Sequence, residues 1–222
     1  MKTALAAIVA LSFAAAGANA AQVSLTPASV IGSSGYYTGC CSFQPGNIFD
    51  QQTGSVTESF GGGYWLNPDN GPANAFITVD LGAATALGSI ELFNTHNGGY
   101  NDRGTGSFLI EGSNSVTDLG GGNFALVSPT TIVSGTLAAT NSGQATVPGQ
   151  SFAASGVYRY ISFDPTGVAT SGGSCCGANN YGLDELRVFA ASAPEPTSWA
   201  LMLVGLGAAG ASLRSRRRVA TV

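Results

Sequence analysis

The middle of the chain is a series of short runs in which apolar and polar residues alternate. In residues 76–81, the side chains of Ile77, Val79 and Leu81 fall on one face, which is the period of a half-buried β-strand. Gly82 then breaks the alternation. No helical period of useful length occurs between the two ends of the chain, so the pattern predicts a domain built of strands. Further strands are predicted at residues 87–93, 108–111, 158–164 and 183–189.

The first twenty residues have the three parts of a secretory signal peptide. Lys2 makes the start basic, residues 3–17 carry no charge, and a small-x-small cleavage site ends at Ala20. We therefore predict a signal helix over residues 1–20, followed by one domain over residues 21–192.

The last thirty residues, 193–222, are also organised in three parts. A Pro-Glu-Pro motif is followed by a run without charge, residues 197–213, and then by a cluster of arginines. This run is close to the shortest length that crosses a bilayer, and an arginine cluster holds such an end in the cytoplasm. The motif consists of Pro194, Glu195 and Pro196, and the membrane-stop cluster consists of Arg214, Arg216, Arg217 and Arg218.

This tail resembles the PEP-CTERM sorting signal, which has the same three parts in the same order. The resemblance implies recognition by an exosortase-type processing protease in a Gram-negative bacterium that makes exopolysaccharide. It also implies transient insertion into the inner membrane through a C-terminal transmembrane helix. Removal of the tail near residues 194–196 would then deliver the protein to the cell surface or the extracellular matrix. An ordinary single-pass anchor is the alternative that hydropathy leaves open.

The charge of the domain limits its partners. Residues 21–193 contain three arginines, no lysine and eleven acidic residues, which gives a net charge of −8, whereas the whole chain has −4. An acidic surface without lysine argues against nucleic acid and against anionic membranes as partners. The same surface suits metal cations and neutral polymers.

Six runs of the domain resemble, in order, the discoidin or coagulation factor 5/8 type C family. The resemblance implies an all-β fold, an antiparallel β-sandwich of the jelly-roll, galactose-binding-like class. Most members of such a family bind a ligand, and catalysis usually comes from a neighbouring domain. The runs are NIFDQQTGSVTESF (47–60), ITVDLG (77–82), LGSIELFN (87–94), NDRGTGSFLIEGS (101–113), VYRYISFDPTG (157–167) and NNYGLDELRVF (179–189).

The resemblance also implies a calcium site. In the family, an aspartate in a loop near the first strand and a glutamate near the start of the last strand belong to one site, and these positions are Asp50 and Glu185 here. Calcium takes six to eight oxygen ligands, so backbone carbonyls of the loop would have to complete the set. The alternative is that Asp50 only caps a turn.

The four cysteines form two adjacent pairs, Cys40-Cys41 and Cys175-Cys176. Thiols of exported proteins usually end as disulfides. The implied sandwich brings the two segments together, so bridges between the pairs are one interpretation. A vicinal disulfide within each pair, which presents an apolar ledge to a sugar, is the other. The spacing is not C-x-x-C, which argues against zinc.

Candidate ligand-binding residues lie in the loops. The loop over residues 96–106 combines donors, acceptors and one ring, the mixture that sugar recognition needs, although Arg103 can equally pin the loop through a carboxylate. Because the family usually packs a tryptophan at Trp65 into the core, we predict that Tyr64 beside it is exposed. The candidate ligand-binding residues are Tyr64, Tyr100, Asn101 and Tyr181.

The sequence favours a binding protein and not an enzyme. It has one histidine and lacks the H-E-x-x-H, G-x-S-x-G and phosphate-loop motifs. A glycosidase needs only two carboxylates, so that mechanism stays open as a distant alternative. We predict an exported carbohydrate-binding module that binds exopolysaccharide or another extracellular glycan, with calcium as its cofactor. The main alternative is a structural protein of the matrix or cell surface without a specific sugar site.

Overall fold

The computed structural model describes residues 20–39, 42–53, 63–68, 71–95, 103–139, 148–169, 179–192 and 196–219. Ala20–Ala191 form one compact unit, and a helix, α1 (Pro196–Val219), belongs to a second unit. The predicted signal segment lies almost entirely outside the described residues.

The first unit is built of β-strands, with short 3₁₀ turns at Pro27–Ser29 and Pro45–Phe49. Every pairing between the described strands is antiparallel. The strands are β1 Val30–Ser33, β2 Trp65–Leu66, β3 Ile77–Asn94, β4 Ser107–Ser113, β5 Val116–Asp118, β6 Phe124–Leu126, β7 Thr130–Thr136, β8 Gln150–Ala153, β9 Val157–Pro165 and β10 Gly182–Ala190.

One long strand, β3, takes part in both layers of a sandwich. Its second half pairs with β10 and β8, and β10 continues to β2, which makes the first sheet. Its first half pairs with β1 and β9, and the order continues through β4 to β7, which makes the second sheet. The predicted antiparallel β-sandwich is therefore confirmed. Strands β5 and β6 form a separate hairpin.

The change of layer occurs near Gly82, and here the sequence-based prediction is corrected. Gly82 was expected to end a strand, but β3 continues through it. Gly82 has a φ of 82°, which glycine adopts without steric cost. The pairing of β3 with β9 shifts register between Asp80 and Thr85. A bulge of this kind bends and twists a strand, so β3 turns from one sheet into the other without a loop.

The core lies between the inner faces of the two sheets. Alternate residues of β3, β4, β9 and β10 are fully buried in it, together with Trp65. The Trp65 ring meets Phe163 edge to face, with 6.4 Å between the ring centroids, and its indole N–H donates to the carbonyl oxygen of Gly35 at 2.9 Å. The predicted core position of Trp65 is confirmed.

Helix α1 contains the arginine-rich end of the tail. Its first residue is Pro196, a residue suited to the first turn because it has no N–H to leave unpaired. Arg214 is exposed, and the side chains of Arg216, Arg217 and Arg218 lie outside the described residues. In the part of the chain that the structure describes, no helix has the length and apolar character needed to cross a membrane. The prediction of a transmembrane helix is not confirmed.

Replacing Phe163 with alanine tests this core. Phe163 is fully buried between Trp65 and Phe108, so Phe163→Ala should lower the free energy of unfolding by roughly 3–5 kcal/mol, measured by urea denaturation. Val157 on the same strand is 55% exposed, and Val157→Ala should change the free energy of unfolding by less than about 0.5 kcal/mol. Equal effects of the two changes would contradict the assigned core.

Candidate functional site

The structure brings the two predicted calcium ligands, Asp50 and Glu185, into one neighbourhood. Asp50 ends the 3₁₀ turn Pro45–Phe49. The next residue, Gln51, has a φ of 66°, a left-handed conformation that is uncommon outside glycine. This conformation lets Gln51 donate to both oxygens of Glu185, from its backbone N–H and from its side-chain amide, each at 3.2 Å.

The charge of Glu185 is poorly compensated. The residue is 0% exposed, and burial raises the pKa of its carboxyl group to about 7. The guanidinium of Arg187 lowers this pKa, and the carboxylate of Asp50 raises it. Arg187 is shared, because its Nε lies 3.7 Å from Glu185 Oε1 and its NH1 lies 3.6 Å from Glu91 Oε2, while its guanidinium stacks on Phe93.

The oxygen groups around Asp50 and Glu185 are of the type that binds a hard cation. This neighbourhood offers a buried carboxylate, a second carboxylate close enough to act on its pKa, and the backbone of a tight turn. Carboxylate and carbonyl oxygens are the ligands that calcium takes. Among the described residues, no group of three or more His, Cys, Asp or Glu side chains is arranged to hold a metal ion.

A second polar region lies at the pole where β3 ends, and Asn94 is at its centre. Asn94 is fully buried. Its side-chain amide donates to the carbonyl oxygens of Thr105 at 2.9 Å and Ala138 at 2.8 Å, and its carbonyl oxygen accepts the N–H groups of Thr95 and Thr105, both at 2.9 Å. One side chain thus ties the end of β3 to the segments that lead into β4 and out of β7.

The same pole extends to the segment before β10. Thr105 Oγ1 donates to the carbonyl oxygen of Gly182 at 2.8 Å. The backbone N–H of Gly104 donates to the carbonyl oxygen of Asn180 at 3.3 Å. Asn67 donates through its amide to the carbonyl oxygen of Asn179 at 2.9 Å. We call this network, built on Asn67, Asn94 and Thr105, the polar framework.

The polar framework joins parts of the described chain that are far apart in the sequence. Residues 96–102 and 170–178 lie outside the described residues, and the described chain on both sides of each stretch, at Thr95, Gly104, Ala169 and Asn179, makes hydrogen bonds to this network. A rigid base that gathers several loops is the usual arrangement for a binding site. The sequence analysis missed Asn94 and Thr105, because their importance depends on partners far away in the sequence.

Two of the predicted ligand-binding residues are buried. Tyr64 is 5% exposed and packs on Phe43, with 4.8 Å between the ring centroids, so the prediction that it is exposed is wrong. The reason is a small second cluster on this side of β2, in which Tyr37, Phe43 and Leu66 cover the ring.

Tyr181 is 3% exposed. Its hydroxyl donates to the carbonyl oxygen of Ala73 at 3.4 Å and to Asn179 Oδ1 at 3.1 Å, and burial raises its pKa. The two rings of Tyr64 and Tyr181 are therefore buried and do not form an exposed rim.

The remaining predicted site residues lie outside the described residues, so their roles stay predictions. They are Tyr100 and Asn101, the cysteines Cys40, Cys41, Cys175 and Cys176, and the first two residues of the sorting motif, Pro194 and Glu195.

Comparison with known proteins confirms the sorting signal. A family model described as the PEP-CTERM protein-sorting motif matches residues 192–218, so the chain carries this signal, which indicates an exported protein of a Gram-negative bacterium. No curated protein is significantly similar to the chain in sequence.

Solved structures show the class of fold. A truncated AlyQ with CBM32 and alginate lyase domains matches with a TM-score of 0.50 and 21% identity, over 81% of this chain and 35% of that one. This chain thus spans about a third of that protein's length. The family 32 carbohydrate-binding module of C. perfringens NanJ, in complex with galactose, matches with a TM-score of 0.45 and 14% identity, over 76% of this chain and 97% of that one. A chitosan-binding module from a chitosanase/glucanase of Paenibacillus sp. IK-5 matches with a TM-score of 0.46 and 17% identity, over 77% of this chain and 99% of that one. The fold is that of the discoidin-like, galactose-binding-like sandwiches.

Replacing Asn94 tests the polar framework. Asn94→Leu keeps the volume of the side chain but leaves its four backbone partners without the amide, so it should lower the free energy of unfolding by roughly 1–3 kcal/mol or more, measured in urea. Asn74 is exposed, and Asn74→Ala should have little effect. A loss for Asn94→Leu no larger than that of the control would show that the amide does not hold the pole together.

Proposed function

We propose that this chain is an exported carbohydrate-binding module that binds extracellular polysaccharide through the loops gathered by the polar framework. The observation that carries the proposal is the polar framework, whose bonds join the described residues beside the predicted loop over residues 96–106 to those just before β10. The sorting motif supports an extracellular setting. An exosortase-type protease would act on this motif near residues 194–196, and the exopolysaccharide of the producing cell is then the nearest ligand.

In this proposal, the loop over residues 96–102 supplies the contacts. Tyr100 provides a ring for the apolar face of a sugar, and Asn101 provides an amide for its hydroxyl groups. The buried Tyr64 and Tyr181 act as supports of the pole. The deficit of positive charge in the domain favours a neutral polysaccharide over an acidic one. The proposal includes no catalytic role.

Calcium is part of the proposal as a structural cofactor. Asp50 and Glu185 would hold it with backbone carbonyls of the turn, and the ion would neutralise the buried charge of Glu185. Arg187 compensates this carboxylate only in part, because it also pairs with Glu91, and a partly compensated buried carboxylate is costly, which gives the folded protein a reason to take up a cation.

Binding to purified exopolysaccharide tests the function. Tyr100→Ala and Asn101→Ala should each weaken binding by about tenfold, the equivalent of 1.4 kcal/mol, as measured from binding isotherms of the full chain with calcium present. Tyr36 is exposed on a different segment, and Tyr36→Ala is the matched control. Absence of saturable binding, with self-association in its place, would favour a structural protein of the matrix.

Calcium removal tests the cofactor. Calcium at about 100 times its Kd should stabilise the protein by about 2.7 kcal/mol, which raises Tm by roughly 5–10 °C in a domain of this size. Asp50→Asn and Glu185→Gln should reduce this rise, whereas the exposed Asp118→Asn should not. A calcium response that both variants keep in full would contradict the assignment.

A further inference from the structure

The face of the second sheet that points away from the core carries a row of oxygen-bearing side chains. Thr78 on β3 lies directly opposite Ser162 on β9, and Ser162 lies opposite Glu111 on β4. Their sequence neighbours on these strands belong to the core, so the alternation of a strand places all three on the outer face. Asp164 follows two residues after Ser162 and shares that face.

Two buried oxygen atoms in this row have no hydrogen-bond partner among the described residues. They are Thr78 Oγ1 and Asp164 Oδ2, and Thr78 is 0% exposed. The other carboxylate oxygen of Asp164 accepts the hydroxyl of Ser162 at 2.6 Å. A buried polar atom without a partner is unfavourable and rare in folded proteins, so its presence here points to a ligand.

The row also contains two neighbouring carboxyl groups, those of Glu111 and Asp164. Burial raises the pKa of Asp164 to about 7, and the neighbouring carboxylate of Glu111 raises it further. Within the described part of the chain, no ion pair to Asp164 or Glu111 is found, and Arg159 is paired with Asp80 and Arg187 with Glu91 and Glu185. A cation from solution would supply the missing charge.

The hairpin of β5 and β6 covers one end of the row. Gly32 pairs with Thr78, and a Cβ atom at Gly32 would collide with the backbone of Phe124 on β6. Asn123 fixes the hairpin to β1, because it accepts the N–H of Ser33 at 2.8 Å and donates to its carbonyl oxygen at 3.2 Å. The row is therefore a partly enclosed site and not an open acidic surface.

We propose that Thr78, Glu111, Ser162 and Asp164 bind a hard divalent cation of the Ca²⁺ class on the outer face of the second sheet. Every donor is an oxygen atom, the ligand type that Ca²⁺ prefers over the softer metals, and water completes the coordination. This site is separate from Asp50 and Glu185, and it does not depend on glycan binding.

Calorimetric titration of the full chain with Ca²⁺ tests this site. In a background that carries Asp50→Asn and Glu185→Gln, one saturable binding event should remain. Asp164→Asn should weaken it by about tenfold or more, and the exposed Asp118→Asn on the hairpin should leave it unchanged. No saturable event in the background, or equal affinities for Asp164→Asn and Asp118→Asn, would overturn the proposal.

Thr78→Val separates a bound cation from a bound water. Valine has the shape of threonine and keeps the strand, so the variant is expected to fold. If the hydroxyl of Thr78 is a cation ligand, it has no partner when the cation is removed. Thr78→Val should then raise Tm in chelator and weaken Ca²⁺ binding severalfold. A lower Tm in chelator with unchanged Ca²⁺ affinity would show a water site and overturn the proposal. In a chain with no other change, Asp164→Asn should weaken one Ca²⁺ binding event and leave the affinity of the other unchanged.

Discussion

The structure depends on one strand that has partners on both sides in each of its halves and belongs to two layers. The first half of β3 lies between β1 and β9, and its second half lies between β10 and β8. A slip of one residue would move every core side chain of β3 to the outer face. Because four partners hold the register, this slip would break both sheets at once. The bend at Gly82 therefore closes the sandwich while the pairing on each side keeps it in place.

The register of β3 also places the three polar regions. Thr78 points outward from its first half, opposite Ser162. Glu185 lies opposite Phe93 near its end. Asn94 is its last residue, where its side chain ties two other segments to the strand. The outer row, the Asp50–Glu185 neighbourhood and the polar framework are thus all consequences of one alignment, although they lie at different places on the domain.

Much of the fold could be predicted from the sequence, because strand alternation is a local property. The alternation at Ile77, Val79 and Leu81 placed these side chains in the core. The pattern could not show that β3 continues through Gly82, since whether a glycine ends a strand or bends it depends on the partners at each side. The longer strand is an outcome of tertiary pairing.

The site was predictable only where a motif fixes a position. Asp50 and Glu185 came from the family resemblance, and the structure brings them together. The exposure of Tyr64 depended on whether other residues cover it, and Phe43 and Tyr37 do so from a distant segment. Asn94 looked like an ordinary strand end, because its four hydrogen bonds reach residues up to 44 positions away. Burial and long-range hydrogen bonds are decided by the fold and leave little local trace.

The shortage of positive charge connects the chemistry of the domain with its export. Arg159 is paired with Asp80 and Arg187 with Glu91 and Glu185, so the arginines of these pairs leave Asp164 without a counter-charge. Calcium sites of extracellular modules bind at roughly 10⁻⁴–10⁻³ M, a range in which the outside of a cell can supply the ion. Buried carboxylates without arginines would then make the folded domain most stable where the sorting signal delivers it. Carboxylates that had arginine partners would give the same fold without that dependence, so under the proposal a cation in the outer row takes the place of an arginine.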